Sequence, residues 1–382
     1  MESEVNSIDA QSRPAPEAEP DISAIVLEQA DRLFHEHVTP AVQADADRSV
    51  WPTDLWRAVE EAGLTLALVP EHAGGFGLPP DDALRVIRRS AWAAAPIPLA
   101  ETMVAAGLWS LTGGDVPEGS LTLGPVNQAD AITAERRAGG WRLDGRVRRI
   151  PWGSAAGNVL LHAVSTDGEP LVALVPSDTL DWASRRNLAD EPRDRLSLSG
   201  LDVRWDAVHP APAACRDGFL PLGALIRSQQ MVGALERALD HALLHAGERR
   251  QFGRSLSKFQ AVQHMLAEAA GHFAAATAAA DLAAAEWSAA GGLEAGAEAV
   301  AELAFPIAVA KARTGEAAGI VAAIVHQVHG AMGFTQEHPL HYSTRRLWSW
   351  RDEFGGESHW QAEIGRLVCS RGGAALWERL AT

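Results

Sequence analysis

Three short stretches hold most of the residues able to do chemistry. The first, WSWRDEFGGESHW, runs from Trp348 to Trp360 and sets Asp352, Glu353 and Glu357 among aromatics and glycines. A carboxylate in such apolar company is a candidate proton acceptor, and salt bridging to Arg345, Arg346 or Arg351 is the competing use. The second, RRQFGRSLSKFQAVQHMLAEAA from Arg249, breaks one helical pattern and starts another near Lys258. An arginine fork at a helix break suits phosphate oxygens, and Phe252 and Phe259 add apolar faces. The third, HQVHGAMGFTQEHPL from His326, is a second break, where Gly330 and Gly333 let backbone approach a ligand and Gln327 can both donate and accept. His326 and His329 are one helical turn apart, but with no third ligand the reading is that no metal binds.

The elements that must position these stretches follow from pattern. Residues 1–20 are acidic, proline-bearing and poor in large apolar groups, a disordered lead-in with no signal-peptide core. Residues 21–118 predict an N-terminal helical domain: Ile22 to Phe34, a helix capped by Thr53 and stopped by Gly63, and Asp81 to Trp92. VPEHAGGFG from Val69 lacks the spacing of a dinucleotide loop and reads as a connection. Residues 119–207 carry short alternating or β-branched runs, with a hairpin turn expected at Leu143 to Gly145, and DAVHPAPAA follows as a linker. From residue 217 to 382 the helical period returns: Val232, Leu235, Leu239, Ala242, Leu243 and Ala246 share a face, and alanine-rich stretches suit a bundle of long helices. Pro306 is expected to start or kink a helix, and Gly330 and Gly333 to end one. The fold class is mainly α with a central β domain.

Composition excludes several functions. A net charge of −16 argues against nucleic acid. No run of about 18 apolar residues predicts a membrane span. The two cysteines, Cys215 and Cys369, are far apart and suit neither a disulfide framework nor zinc, which fits a reducing cytoplasm. Serine-hydrolase, Walker-loop and zincin motifs are absent.

The pair R-x-x-F-G-x-x-x-x-x-F-Q (Arg249, Phe252, Gly253, Phe259, Gln260) and Q-x-x-G-x-x-G-F (Gln327, Gly330, Gly333, Phe334) resembles the acyl-CoA dehydrogenase family, as does VPEHAGGFG. The resemblance spans nearly the whole chain. It implies an N-terminal helical domain, a middle β-barrel-like domain and a C-terminal four-helix bundle. It further implies FAD, an acyl-CoA substrate oxidised to trans-2-enoyl-CoA, an electron-transfer flavoprotein-type acceptor and an oligomer, because these motifs serve the neighbouring subunit's flavin. Carried over, Arg249 would contact the FAD pyrophosphate, Phe252 would pack on the adenosine, and Gln327 with the Gly330 backbone would hold phosphate and ribose. Trp152 would stack on the isoalloxazine, with a structural aromatic as the other reading.

The catalytic base departs from this pattern. The family glutamate aligns with Phe354, or with Trp360 in a shifted register, and the alternative home on the earlier helix is Gln251. None accepts a proton. Glu353, one residue away, is the in-chain candidate, and a base supplied by a related subunit of a heteromer is the alternative. The loops that would meet this chain's own flavin read LGPVNQADA and RIPWGSA, so groups serving a neighbour's flavin are kept while those serving its own are weakened. A flavin-dependent oxidase or monooxygenase, and a non-catalytic partner subunit, are the other classes consistent with the missing base.

Overall fold

The computed structural model describes residues 22–127 and 129–381. The lead-in over residues 1–20 lies outside them. Five helices come first: α1 (Ile22–His37), α2 (Pro40–Asp47), α3 (Thr53–Glu61), α4 (Pro80–Trp92) and α5 (Leu99–Ser110). Thr39 caps α2 by accepting from the Val42 N–H, with Pro40 preset for the first turn. Thr53 is the first residue of α3, not its cap, because Pro52 takes that place. VPEHAGGFG follows a short 3-10 turn and leads into α4, a connection as expected.

The β region comprises β1 (Leu121–Gly124), β2 (Ala131–Arg137), β3 (Gly140–Pro151), β4 (Asn158–Ser165), β5 (Pro170–Pro176), β6 (Trp182–Ala183), β7 (Arg193–Arg204) and β8 (Val208–Pro210). The sheet order is β6-β7-β3-β2-β4-β5-β8, with β1 parallel to β4. The β2–β3 reversal falls at Ala138 and Gly139, so Leu143 to Gly145 lie inside β3 and not in a turn. The stretch read as a linker contributes β8, whose Val208 pairs with Ala173. In both places cross-strand pairing of buried Leu143 and Val208 outweighs the local turn signal.

The C-terminal part comprises α6 (Leu220–Glu248), a two-residue hairpin of β9 (Arg250–Gln251) and β10 (Arg254–Ser255), α7 (Gln260–Ala289), α8 (Ala297–His329), α9 (Leu340–Trp350), α10 (Glu357–Arg371) and α11 (Gly373–Ala381). Alanines at 269, 276, 280 and 283 are fully buried and let α7 lie close to its neighbours. Pro306 sits buried inside α8 without starting it. By length and composition α8 and the turn after it, Ala297–Phe334, pass the test for a membrane-crossing helix. Half of the most apolar window is buried, and α8 packs against α6, α7 and α10 as a bundle core helix. One apolar core joins the N-terminal helices to the bundle, a second fills the bundle and a third lies within the sheet.

Candidate functional site

After α9 the chain turns tightly through residues 351–356. Phe354 takes a left-handed conformation (φ 52°) and is 1% exposed. Its ring lies on Gly223 of α6, where any β-carbon would come within 1.9 Å of it. The Arg227 guanidinium stands 5.4 Å from the ring centroid, and Trp360 Nε1 donates to the Phe354 carbonyl at 2.9 Å. Lys311, buried in α8, donates to the carbonyls of Arg351 and Gly355 at 2.7 Å each. Burial pushes its ammonium down to about 7, against the pull of Glu357 and Glu353. The position aligned with a family glutamate is therefore filled by a phenylalanine whose flank is clamped on both sides, and Trp360 is buried beside it.

Glu353 points the other way, into a chain of buried charges. Arg193 of β7 donates from Nε to Oε1 at 2.6 Å and from Nη2 to Oε2 at 3.0 Å. Arg227 Nε donates to Oε2 at 2.8 Å, and Asn187 Nδ2 to Oε1 at 3.1 Å. Arg227 reaches on to Glu101 of α5 at 2.6 Å, both side chains 1% exposed. Arg193 also holds Glu191, which binds Arg346 of α9 at 3.0 Å and accepts from Trp350 Nε1 at 3.0 Å. Three glutamates and three arginines thus bind the N-terminal helices, the sheet and the bundle together.

Burial alone would raise the Glu353 carboxyl, but the adjacent Arg193 and Arg227 charges and their hydrogen bonds override it and hold the group at about 2. A carboxylate so stabilised is a weak base, with every oxygen already accepting. Glu353, the in-chain candidate for proton acceptor, is held by two arginines from other elements and is not swung free by the turn around Gly355 and Gly356. Trp152 packs between the N-terminal helices and the sheet. It is 7% exposed, has φ 56°, and meets Trp51 edge-on at 6.3 Å between centroids. It also lines a cavity of about 240 Å³ with Trp51, Ser154 and Arg185.

The far end of α6 is built differently. Arg249 caps that helix, is exposed, and its side chain has no partner among the described residues. The chain reverses through Phe252 and Gly253, both left-handed (φ 51° and 81°), the backbone of a type I′ turn. Phe252 is 90% exposed and touches Phe259 edge-on at 6.3 Å. Gln327, in the last turn of α8, is exposed, and Gly330 (φ 64°) ends that helix with open space around it. Phe334 is 73% exposed.

Histidines bring the two segments together. His245, one turn before Arg249, stacks on His329, two residues after Gln327, at 4.6 Å. His329 meets His338 at 4.6 Å, and His326 stacks on Trp348 and Phe334. Burial and neighbouring rings push His338 down to about 4, so the ring is neutral near pH 7. His326 bonds Thr344 at 3.0 Å and His329 bonds the Val325 carbonyl at 2.7 Å. Among the described residues no group of three or more His, Cys, Asp or Glu could hold a metal ion.

Sequence reading missed Glu101, Glu191, Arg193 and Arg227. One signal was present: Arg227, Gln229 and Gln230 interrupt an apolar run in α6, and buried charge in such a run needs a partner. The partners come from distant elements and were not legible.

A helical domain, a β sheet and a helix bundle in this order are the architecture of the acyl-CoA dehydrogenase fold. Residues 23–113 match the family model of the acyl-CoA dehydrogenase N-terminal domain and residues 218–364 that of the C-terminal domain. The chain belongs to the acyl-CoA dehydrogenase family. It is 26% identical over 334 residues to acyl-CoA dehydrogenase IpdE2 of Mycobacterium tuberculosis, covering 86% of this chain and 91% of that one. It is 28% identical to 3-sulfinopropanoyl-CoA desulfinase of Paraburkholderia xenovorans, over 83% and 88% of the two chains. Among solved structures, a variant of the Tcur3481-Tcur3483 steroid ACAD superposes with a TM-score of 0.78 at 28% identity, covering 92% of this chain and 98% of that one. A chain of the ChsE4-ChsE5 complex from Mycobacterium tuberculosis shares the fold at the same TM-score and 22% identity, over 91% and 97%.

Proposed function

We propose that this chain is the base-lacking subunit of a heteromeric, FAD-dependent acyl-CoA dehydrogenase that converts an acyl-CoA to the trans-2-enoyl-CoA. The observation that carries the reading is Phe354 wedged on Gly223 with Glu353 tied into the six-charge network, while Arg249, Phe252 and Gln327 stand exposed. The chemistry of that outward segment fits the adenosine diphosphate half of FAD. Arg249 would donate to the pyrophosphate, Phe252 would cover the adenosine, and Gln327 with the Gly330 backbone would fix the phosphate and ribose region. FAD, when bound, supplies the acceptor for the substrate's β-hydride. The α-proton must then leave to a carboxylate of the partner subunit, since neither Phe354, Trp360 nor Gln251 accepts one and Glu353 is held ionised by arginines.

A heteromer is also supported by the 28% identical solved relative, whose name joins two proteins and describes it as a steroid ACAD. That likeness favours a bulky acyl group as substrate. An electron-transfer flavoprotein-type acceptor in the cytoplasm completes the proposal. The test is to purify the chain alone and together with the product of an adjacent dehydrogenase-like gene, then record flavin absorption and anaerobic acyl-CoA-driven dye reduction. The expected result is turnover only in the mixture, abolished by changing the partner's own glutamate to glutamine. Turnover by the chain alone would overturn the assignment, and strict dependence on oxygen would favour a flavin-dependent oxidase or monooxygenase.

A further inference from the structure

Between α3, α5 and the segment leading into β1 lies a cleft of about 680 Å³ that the dehydrogenase reading does not use. Leu66, Ala106, Val116 and Pro117 give it apolar walls, and three carboxylates, Glu60, Glu61 and Glu118, line it as well. Glu60 Oε1 accepts from the Gly119 N–H at 2.9 Å, which draws Glu118, the preceding residue, up to the end of α3. None of the three carboxylates pairs with a cation among the described residues, and Arg57, the arginine nearest in sequence, is taken by Asp54.

Two features set this cleft apart from the surplus acid expected of a chain of net charge −16. Glu60 and Glu61 close α3, whose last turn holds no basic residue. That is the negative end of the helix dipole, where a carboxylate is disfavoured and a cation is stabilised. The second feature is Thr65, which lines the cleft, is 8% exposed, and whose hydroxyl bonds to nothing among the described residues. Nor is that oxygen among the unpartnered atoms sealed away from solvent, so it opens into the cleft. A hydroxyl so placed costs free energy that a ligand's donor would recover. Thr102, beside it, is already engaged, donating to the Leu121 carbonyl at 2.9 Å and accepting from the Leu121 N–H at 3.0 Å. Among the described residues no group of three or more carboxylates or other ligating side chains could hold a metal ion. Acid spread over an apolar cleft suits instead a cation whose charges are spread too, along an aliphatic chain.

We propose that this cleft binds an aliphatic polyamine, a small molecule with two or more ammonium groups joined by methylene chains. Glu60, Glu61 and Glu118 take the ammonium groups, the Thr65 hydroxyl accepts from one of them, and the methylenes lie on the apolar walls. The cleft shares no lining residue with the Glu353 network or with the Arg249–Gln327 segment, so the proposal does not rest on the dehydrogenase role.

Calorimetric titration of the full-length chain with spermidine at low ionic strength tests it without any turnover assay. Saturable binding is expected, with affinity falling as salt rises. Pentylamine, with one ammonium group, should bind at least about fivefold more weakly. Glu61 and Glu118 are exposed, so changing both to glutamine leaves the core untouched, and it should weaken spermidine at least about tenfold. Thr65→Val keeps the buried shape and removes the hydroxyl, and it should weaken spermidine about threefold or more. Circular dichroism and thermal melting confirm the fold of each variant. No binding at about 5 mM spermidine, or unchanged affinity in either variant, overturns the site. Displacement of spermidine by magnesium at equal charge concentration would mean counterion attraction only, and overturns it too. Pentylamine binding as tightly as spermidine overturns the polyamine assignment, and a tetralysine peptide binding more tightly than spermidine would give the cleft to a partner protein's lysines instead.

Discussion

The two ends of α6 carry opposite designs. Near its start Arg227 is 1% exposed and surrounded by Glu101, Glu353, Gln230 and the Phe354 ring, every polar atom paired inside the chain. At its end Arg249 is exposed and paired with nothing described, next to a phenylalanine 90% exposed on a strained turn. At 1.5 Å per residue the two arginines are about 33 Å apart along one helix. The same residue type is thus tied inward at one end and left facing outward at the other. The proposed heteromer rests on this contrast, a chain closed at one end of α6 and open at the other.

The contrast breaks most sharply at Arg227. Arg227→Met should cost about 3–5 kcal/mol in urea unfolding, because Glu101 is left as a buried charge without its arginine and Glu353 keeps only Arg193. A cost below about 1 kcal/mol would mean that water reaches the network, and the closed end would not be closed.

Glu353→Gln sharpens the same comparison through pH. The folded carboxyl sits at about 2, well below its usual 4.5, so its stabilising contribution is fully present above 4.5 and lost as pH falls through 2. At pH 7 the variant is expected to be about 2–4 kcal/mol less stable than the parent, and the gap should narrow steadily below pH 4.5. Turnover of the assembled heteromer should survive at temperatures where the variant stays folded. Loss of turnover with stability intact would return Glu353 to the role of base.

At the open end the effects fall on binding alone. Arg249→Ala should weaken FAD retention in the assembled protein by about 1.5–3 kcal/mol, read as faster loss of flavin on desalting, with the melting temperature of the chain alone unmoved. A melting shift without loss of flavin would make Arg249 a structural residue.

The chain breaks at the open end were legible in the sequence and the contacts of the closed end were not, for a physical reason. Arg249, Phe252, Gln327 and Gly330 sit at local backbone breaks, and glycines and helix ends are local signals. Helix and strand order was readable for the same cause, since Gly63 and Gly330 do stop their helices. Glu353, in contrast, owes its state to Arg193 and Arg227, 160 and 126 positions away, and Phe354 owes its place to Gly223. Local turn signals misled where long-range pairing decided, as at Leu143 to Gly145 inside β3.

The finest test of the open end uses a residue on which folding and binding pull in opposite directions. Phe252 and Gly253 are the two central residues of a turn that needs positive φ at both. Asparagine followed by glycine is the favoured pair there, whereas phenylalanine in the left-handed region is strained and, being 90% exposed, recovers little by packing. Phe252→Asn should therefore leave the chain as stable or up to about 1 kcal/mol more stable. If the ring covers the adenosine of a neighbour's flavin, the same change should weaken FAD retention by about 0.5–1.5 kcal/mol. A more stable protein that holds flavin less well would show that the strain is kept for binding. Unchanged retention would leave Phe252 without a ligand and confine outward recognition to Arg249 and Gln327.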